Sequence, residues 1–569
     1  MVRRAARIVA GAVVVAGIAV GGAGSAVAQP PVDGPDGRAE AVGSTAGVTA
    51  VAGSTAGVTA VTGVPGLGGH VRAATSDGLA VSGSSTYVVA ANGKKITATM
   101  KVSLENRKPN VSTSFGYTYY YWNAISVPIP LDATSVKAVS GGSTLSTSSK
   151  RASGYPEKLL RVSFPELRYG NKRTITVTFT LDGAPPRSSD PTRVHAGYAN
   201  FAVYAMGDPG RATVKVVMPA SMKWDATSDL FAASDSTATT QTITATSGND
   251  PDGLWAQLSL LDPAKEISTT ITAGGADLSL RAWPNDKAWS TFVAKQVTVG
   301  LPALEKLVGR PWPGEIDSIR EDTAVYARGY DGWYDSAYKE IVIGEDLDAP
   351  LIFHELSHAW TNTSTMDKRW ISEGLAELLS DRTAAATQTK PEPTVNVSPT
   401  QSHAIALNSW SSDTGGRSGA HDAYAYPASR EVMAQLFKGL DAAKTTAVLN
   451  AAVTAQSAYG PPGEASPLDA YRTTWQRFYD LLAVRGGQSD TASIFKRWVL
   501  TDAQAKQLPA REKAGQSYAE FAKASGGWLP PLLVRSPMNE WKFDEAASQM
   551  TALGGLAAWR FHAHPNNAY

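Results

Sequence analysis

The stretch that most constrains this chain is Phe353-His354-Glu355-Leu356-Ser357-His358-Ala359-Trp360, inside an apolar run that begins at Leu351. It predicts a helix. Residues four apart lie on one helical face, roughly 6 Å apart along the axis. His354 and His358 can therefore direct two imidazole nitrogens at one metal ion. Glu355 is turned partly away and can reach the open side of that ion, where a water would sit. Zinc suits imidazole ligands, and a catalytic zinc site keeps one position for water. One turn of helix thus offers two ligands and a general base. The structural alternative is a pair of hydrogen-bonded histidines on a core helix.

A third ligand is expected downstream. Trp370-Ile371-Ser372-Glu373-Gly374-Leu375-Ala376-Glu377 begins twelve residues after His358. It reads as the start of a second helix, with Ser372 as its N-cap. H-E-L-S-H followed by W-I-S-E-G-L-A-E resembles the gluzincin metallopeptidases, the group that holds thermolysin and the M1 aminopeptidases. The resemblance implies a thermolysin-like catalytic domain and one Zn2+ per chain. It implies Glu373 as the third ligand. Glu377, four residues on along the same face, would accept a proton from a ligand imidazole and orient it. The gap after His358 is 14 residues to Glu373 and 18 to Glu377. The longer gap is usual in the M1 group, so spacing points to Glu377 and the local words to Glu373. Glu373 is taken as the ligand because a connecting loop can shorten without moving either helix.

Composition narrows the function classes. A net charge of +1 gives no field to gather nucleic acid or acidic surfaces. The 18% charged and 43% hydrophobic content is that of a folded globular protein, and 569 residues suit several domains. The chain has no Cys, which excludes disulfides, thiolate zinc sites and cysteine nucleophiles. Arg3, Arg4 and Arg7, an apolar stretch over 8–20 and Ala26-Val27-Ala28 before Gln29 predict a signal peptide over 1–28. The expected protein is secreted, extracellular or in the cell envelope, with no stable membrane span after cleavage. A low-complexity linker is expected over 29–75, where residues 43–51 recur at 53–61.

From 76 to 280 the periodicity is two, as in Lys95 to Val102 and Arg173 to Thr180, which predicts an N-terminal antiparallel β domain. A catalytic domain is expected over 281–440 and a helical C-terminal region over 441–569, giving a multidomain α+β chain. A helix is expected over 288–308, with strands over 316–326 and 340–343. The resemblance implies that the second strand is an edge that pairs with extended substrate. The G-x-M-E-N words of M1 aminopeptidases are missing, and Gly329-Tyr330-Asp331-Gly332-Trp333-Tyr334 stands in their place. Asp331 or Asp335 could serve a substrate amine. Ala423 to Ser429 resembles the Y-x-K-G helix start of M1 enzymes, which implies Tyr426 as donor to the oxyanion, with Tyr424 and His421 as rivals. The expected function is a secreted zinc metallopeptidase acting on a peptide or protein. An M1-like aminopeptidase and a non-catalytic secreted binding protein on the same fold are the alternatives.

Overall fold

A computed structural model describes residues 58–60 and 78–554, apart from 114–115, 152–156, 251–252, 326–329, 412–418, 466–470 and 527. The expected signal peptide, and the expected linker apart from 58–60, lie outside the described residues. The chain is mixed α+β, with β-rich sheets first and helices toward the C-terminus. It forms two compact units. Of the described residues, one comprises 78–183 and 194–262, and the other 58–60, 184–193 and 263–554.

In the first unit, period-two alternation becomes burial. Along Ile96–Asn106 the even-numbered residues Ile96, Ala98, Met100, Val102 and Leu104 are buried, while Thr97, Lys101 and Ser103 face out. That strand pairs antiparallel with Leu79–Val89 on one side and Lys172–Leu181 on the other. The expected antiparallel domain needs one correction: Ala212–Pro219 runs parallel to Leu79–Val89. Just before Ala212–Pro219 in sequence, Tyr198–Ala205 lies in a second sheet. Every residue of Tyr198–Ala205 is buried.

The second unit is built on a six-stranded sheet. Its strands are β1 (Val58–Ala60), β2 (Ile267–Ala273), β3 (Ala276–Ala282), β4 (Ser318–Glu321), β5 (Tyr330–Asp335) and β6 (Glu340–Ile343). Their order is β1-β5-β6-β4-β3-β2. β2 and β3 belong to this sheet, which therefore begins ahead of residue 280. β6 lies between β4, to which it is parallel, and β5, to which it is antiparallel. The strand expected at an edge is thus interior, and both of its ladders are taken. β5 lies outside it, and β1 pairs antiparallel with β5, placing Thr59 opposite Gly332.

Four helices position the site. α1 (Lys287–Val308) buries Trp289, Val293, Val297, Leu301, Leu304 and Val308, one stripe at helical spacing. Asp286 caps it, accepting from the Trp289 N–H at 3.0 Å. α2 (Ala349–Ser357) carries the motif and starts at Asp348, whose carboxylate accepts from the Leu351 N–H. α3 (Arg369–Ala386) follows, with Lys368 rather than Ser372 at its N-cap. α4 (Gly419–Leu436) packs on α3. The α3–α4 approach is close because Gly374 has no side chain: a Cβ there would stand 2.8 Å from Met433 Cγ and 2.9 Å from the Ser429 carbonyl. The helices between 442 and 554 contribute Val448, Phe478, Phe495, Val534 and Met550 to the same core as the sheet and α2. Helices expected over 471–482 and 492–500 are shorter, Trp475–Asp480 and Thr491–Ile494, each continued by π-helical turns.

Candidate metal centre

α2 is surrounded: of its nine residues only Pro350 is not buried. The helix ends at Ser357, and His358 stands at its C-cap in right-handed helical conformation, so the four-residue spacing from His354 survives. The two Nε2 atoms lie 3.1 Å apart. Glu373, one turn into α3, places Oε2 at 3.4 Å from His354 Nε2 and 3.6 Å from His358 Nε2. All three residues are at most 2% exposed. Ligands about 2.0–2.1 Å from a tetrahedrally bound zinc stand roughly 3.3–3.4 Å apart, which is the scale of this triangle. Glu373 Oε2 is buried and makes no hydrogen bond, a costly state for a carboxylate unless a cation meets it. Two imidazoles and a carboxylate converging on one buried point fit zinc.

The far side of each imidazole is held. His358 Nδ1 lies 2.9 Å from the Thr361 carbonyl, to which its N–H donates, leaving the Nε2 lone pair for the centre. The same carbonyl accepts from Ser372 Oγ. One oxygen therefore joins the end of α2 to the start of α3. His354 Nδ1 lies 3.2 Å from Glu377 Oε1, an ion-pair contact. Glu377 is backed by Arg430 at 3.8 Å, and Arg430 is itself clamped by both oxygens of Asp381. Asn362 and Tyr334 complete the frame behind His358: the Asn362 amide donates to the His358 carbonyl, and the Tyr334 hydroxyl donates to Glu315.

The charges follow from this packing. Burial opposes ionisation of Glu373, but the imidazoles of His358 and His354 outweigh it and hold the carboxyl down at about 2. Burial likewise opposes charge on Glu377, and His354 with Arg430 holds it below the usual carboxylate range. On His354 burial acts against the proton, and the surrounding carboxylates, Glu377 foremost, raise it well above the usual imidazole value. Glu355 is fully buried. Gly332 of β5 lies against it: a Cβ there would stand 3.5 Å from Glu355 Oε1 and 2.8 Å from the Val342 carbonyl oxygen.

The remaining expected site residues separate. Tyr426 on α4 is buried, and its phenol oxygen accepts from Arg369 Nη2 at 2.7 Å. Tyr424 is buried on the same helix, and burial pushes its phenol up. His421 Nδ1 is 3.1 Å from the His403 carbonyl. Asp335 is occupied in its own turn, accepting from the Ala337 and Tyr338 N–H groups. Sequence reasoning does not reach Thr361, Arg369 or Arg430. Arg369 carried a signal, since it precedes Glu373 by four residues on α3 and so shares its face. Thr361 and Arg430 carried none.

No family model matches the chain, and no curated protein matches it. Among solved structures it is similar to an M1 zinc metallopeptidase from Deinococcus radiodurans, at 15% identity and a TM-score of 0.32, over 74% of this chain and 94% of that one. A mutant of the Deinococcus radiodurans enzyme bound to a Tyr-Ser-Ala substrate matches over the same shares, at 15% identity and a TM-score of 0.30. Among the described residues no helix is long and apolar enough to cross a membrane.

Proposed function

We propose that this chain is a secreted zinc-dependent metallopeptidase whose thermolysin-like centre hydrolyses peptide bonds. The observation that carries the reading is the buried convergence of His354 Nε2, His358 Nε2 and Glu373 Oε2 within 3.6 Å of one another, where the helix that carries Glu355 meets α3. His354, His358 and Glu373 would hold the ion. Zinc, when bound, supplies a Lewis acid that lowers the pKa of a water and polarises a carbonyl.

The chain's own residues do the rest. Glu355 takes a proton from the water as its oxygen attacks the scissile carbonyl carbon, and passes that proton to the nitrogen as the C–N bond breaks. The apolar burial of α2 keeps bulk water from competing for that carboxylate. Tyr426 donates a hydrogen bond to the carbonyl oxygen as it becomes negative. Glu377 and the Thr361 carbonyl hold the two imidazoles in the tautomer that presents Nε2.

The test is zinc content and peptide-library cleavage by the purified protein, wild type beside Glu355→Gln. One zinc in each, with cleavage by wild type alone, is expected. Cut positions then separate an endopeptidase from an M1-like aminopeptidase. One zinc in each and cleavage by neither supports the binding protein instead. A mature N-terminus other than Gln29 overturns the placement of the signal cleavage.

A further inference from the structure

We propose that Arg369 is a positioning residue for Tyr426: its guanidinium holds the phenol oxygen so that the hydroxyl proton is directed at the peptide oxygen that becomes negative. The proposal rests on the peptidase reading above and assigns a function to a side chain that the motif does not include.

Arg369 opens α3, one turn ahead of Glu373 and on the same face. Its guanidinium is enclosed by two rings, with the Trp410 centroid at 4.4 Å and the Tyr426 centroid at 5.1 Å. Nη2 reaches the Tyr426 oxygen at 2.7 Å, and Nη1 lies 3.4 Å from Asp422 Oδ1. That same Asp422 oxygen accepts from Trp410 Nε1 at 2.7 Å, and the Trp410 and Tyr426 rings meet edge to face at 4.9 Å. Arginine, tryptophan and aspartate therefore form a box around one phenol, built from the start of α3, the segment at 410 and α4.

The chemistry follows from what each group can do. A guanidinium only donates. In the Arg369–Tyr426 contact the phenol oxygen is therefore the acceptor, and its own O–H points elsewhere. A cation beside the oxygen also withdraws electron density, which makes the O–H a stronger donor. Burial, seconded by the charge of Glu373, pushes the phenol well above its ordinary value and keeps it neutral, the state in which it can donate. Arg369 stands four residues ahead of Glu373 on the same face of α3, and its bond to Tyr426 brings the box to the face that carries the metal ligand. Lysine would keep the charge but lacks the planar fork that can lie over a ring while bonding sideways.

The experiment measures kcat and KM on one cleaved peptide, and calorimetric binding of the matching phosphinic peptide, a stable anionic mimic of the tetrahedral state. It uses zinc-loaded full chains of wild type, Tyr426→Phe, Arg369→Gln, Arg369→Lys and the double variant Arg369→Gln/Tyr426→Phe. Each single loss is expected to lower kcat about 100-fold with KM within about threefold, the scale of one oxyanion donor. Phosphinic affinity should fall in step. The double variant should be within about threefold of Tyr426→Phe alone, because the two residues act as one unit. Arg369→Lys should fall between wild type and Arg369→Gln.

Independent, multiplying losses overturn the proposal, as does a rise in KM alone. So does a wild type that cleaves and binds while Arg369→Gln keeps kcat within about threefold. A wild type that neither cleaves nor binds the phosphinic peptide overturns the peptidase reading and this proposal together. If Arg369→Gln fails to fold, Arg369→Lys carries the test, and unchanged kcat and phosphinic affinity in it overturn the proposal.

Discussion

The strand Ile96–Asn106 and helix α2 bury themselves by opposite logic. The strand has one face in the core and one face outward, so its sequence alternates and any dipeptide reports which side is which. α2 has core on every side, and its sequence shows no periodicity that a reader could use. What marks α2 is the set of exceptions: His354, Glu355, Ser357 and His358 in a run that is otherwise apolar. A polar side chain in such a place is expensive unless something meets it. Ser357 is met by the Phe353 carbonyl and His358 by the Thr361 carbonyl. In elements with one wet face the pattern carries the information; in fully buried elements the chemistry of the exceptions carries it.

The contrast can be broken by substitution. The largest effect is expected at Glu355: changing it to Gln should lower kcat by roughly 10³ to 10⁴ while zinc stays at one per chain, read by metal analysis beside steady-state rates. Next comes removal of the metal. At zinc about 1,000 times its Kd, chelation should cost the second unit about 4 kcal/mol. In hydrogen exchange the amides of α2 and α3 should then lose protection while those of Ile96–Asn106 keep theirs. Equal losses in both places would sink the idea that the ion supports one region alone.

In the strand, Met100→Ala should cost about 3 kcal/mol, whereas Lys101→Ala, one residue on and facing out, should stay within about 0.5 kcal/mol by denaturant unfolding. Glu377→Gln should weaken zinc binding by about tenfold or more in chelator competition, as loss of an imidazole's carboxylate partner does.

The smallest effect is a pH dependence. Glu321 on β4 is buried, and its pKa is raised to about 9 by that burial first, with Asp286 adding to it, against the Trp283 N–H that donates to it. Its folded value lies above the ordinary carboxyl value of 4.5. The group therefore contributes its full stability below that lower value, and the contribution is lost as pH rises through the higher one. Glu321→Gln keeps the neutral shape, so its Tm advantage over wild type should grow across that window. A Tm difference that stays flat with pH would show that Glu321 is ionised in the folded chain.

Much of this was legible in the residues. Alternation located strands such as Ile96–Asn106, and the stripe Val293, Val297, Leu301, Leu304 and Leu307 located α1, although Leu307 is only half-buried and Val308 takes the core position. The four-residue histidine spacing and the E-G-L-A-E words named side chains that the fold gathers into one triangle. Other features depend on partners far away in sequence. β6 reads as a strand, but nothing in its four residues says that β5 lies outside it. Ser372 looks like an N-cap because it precedes an acidic, apolar run, yet it sits inside α3 and its hydroxyl goes to Thr361. Arg430 reaches Glu377 from another helix, and no local pattern announces it. The parallel pairing of Ala212–Pro219 is with Leu79–Val89, far earlier in the chain, and leaves no mark within the strand.

The shared acceptor at Thr361 has a consequence for how such centres vary. Because one carbonyl ties the end of α2 to the start of α3, the distance from the histidines to Glu373 is set by a clamp rather than by the chain that runs between them. Spacer length and ligand geometry are then independent variables. A loop of 14 residues and a loop of 18 can present the same three atoms, provided the hydroxyl and the imidazole still find the same oxygen. Counting residues between the two helices is for that reason a weaker guide to the ligand than finding what the hydroxyl one position before it touches.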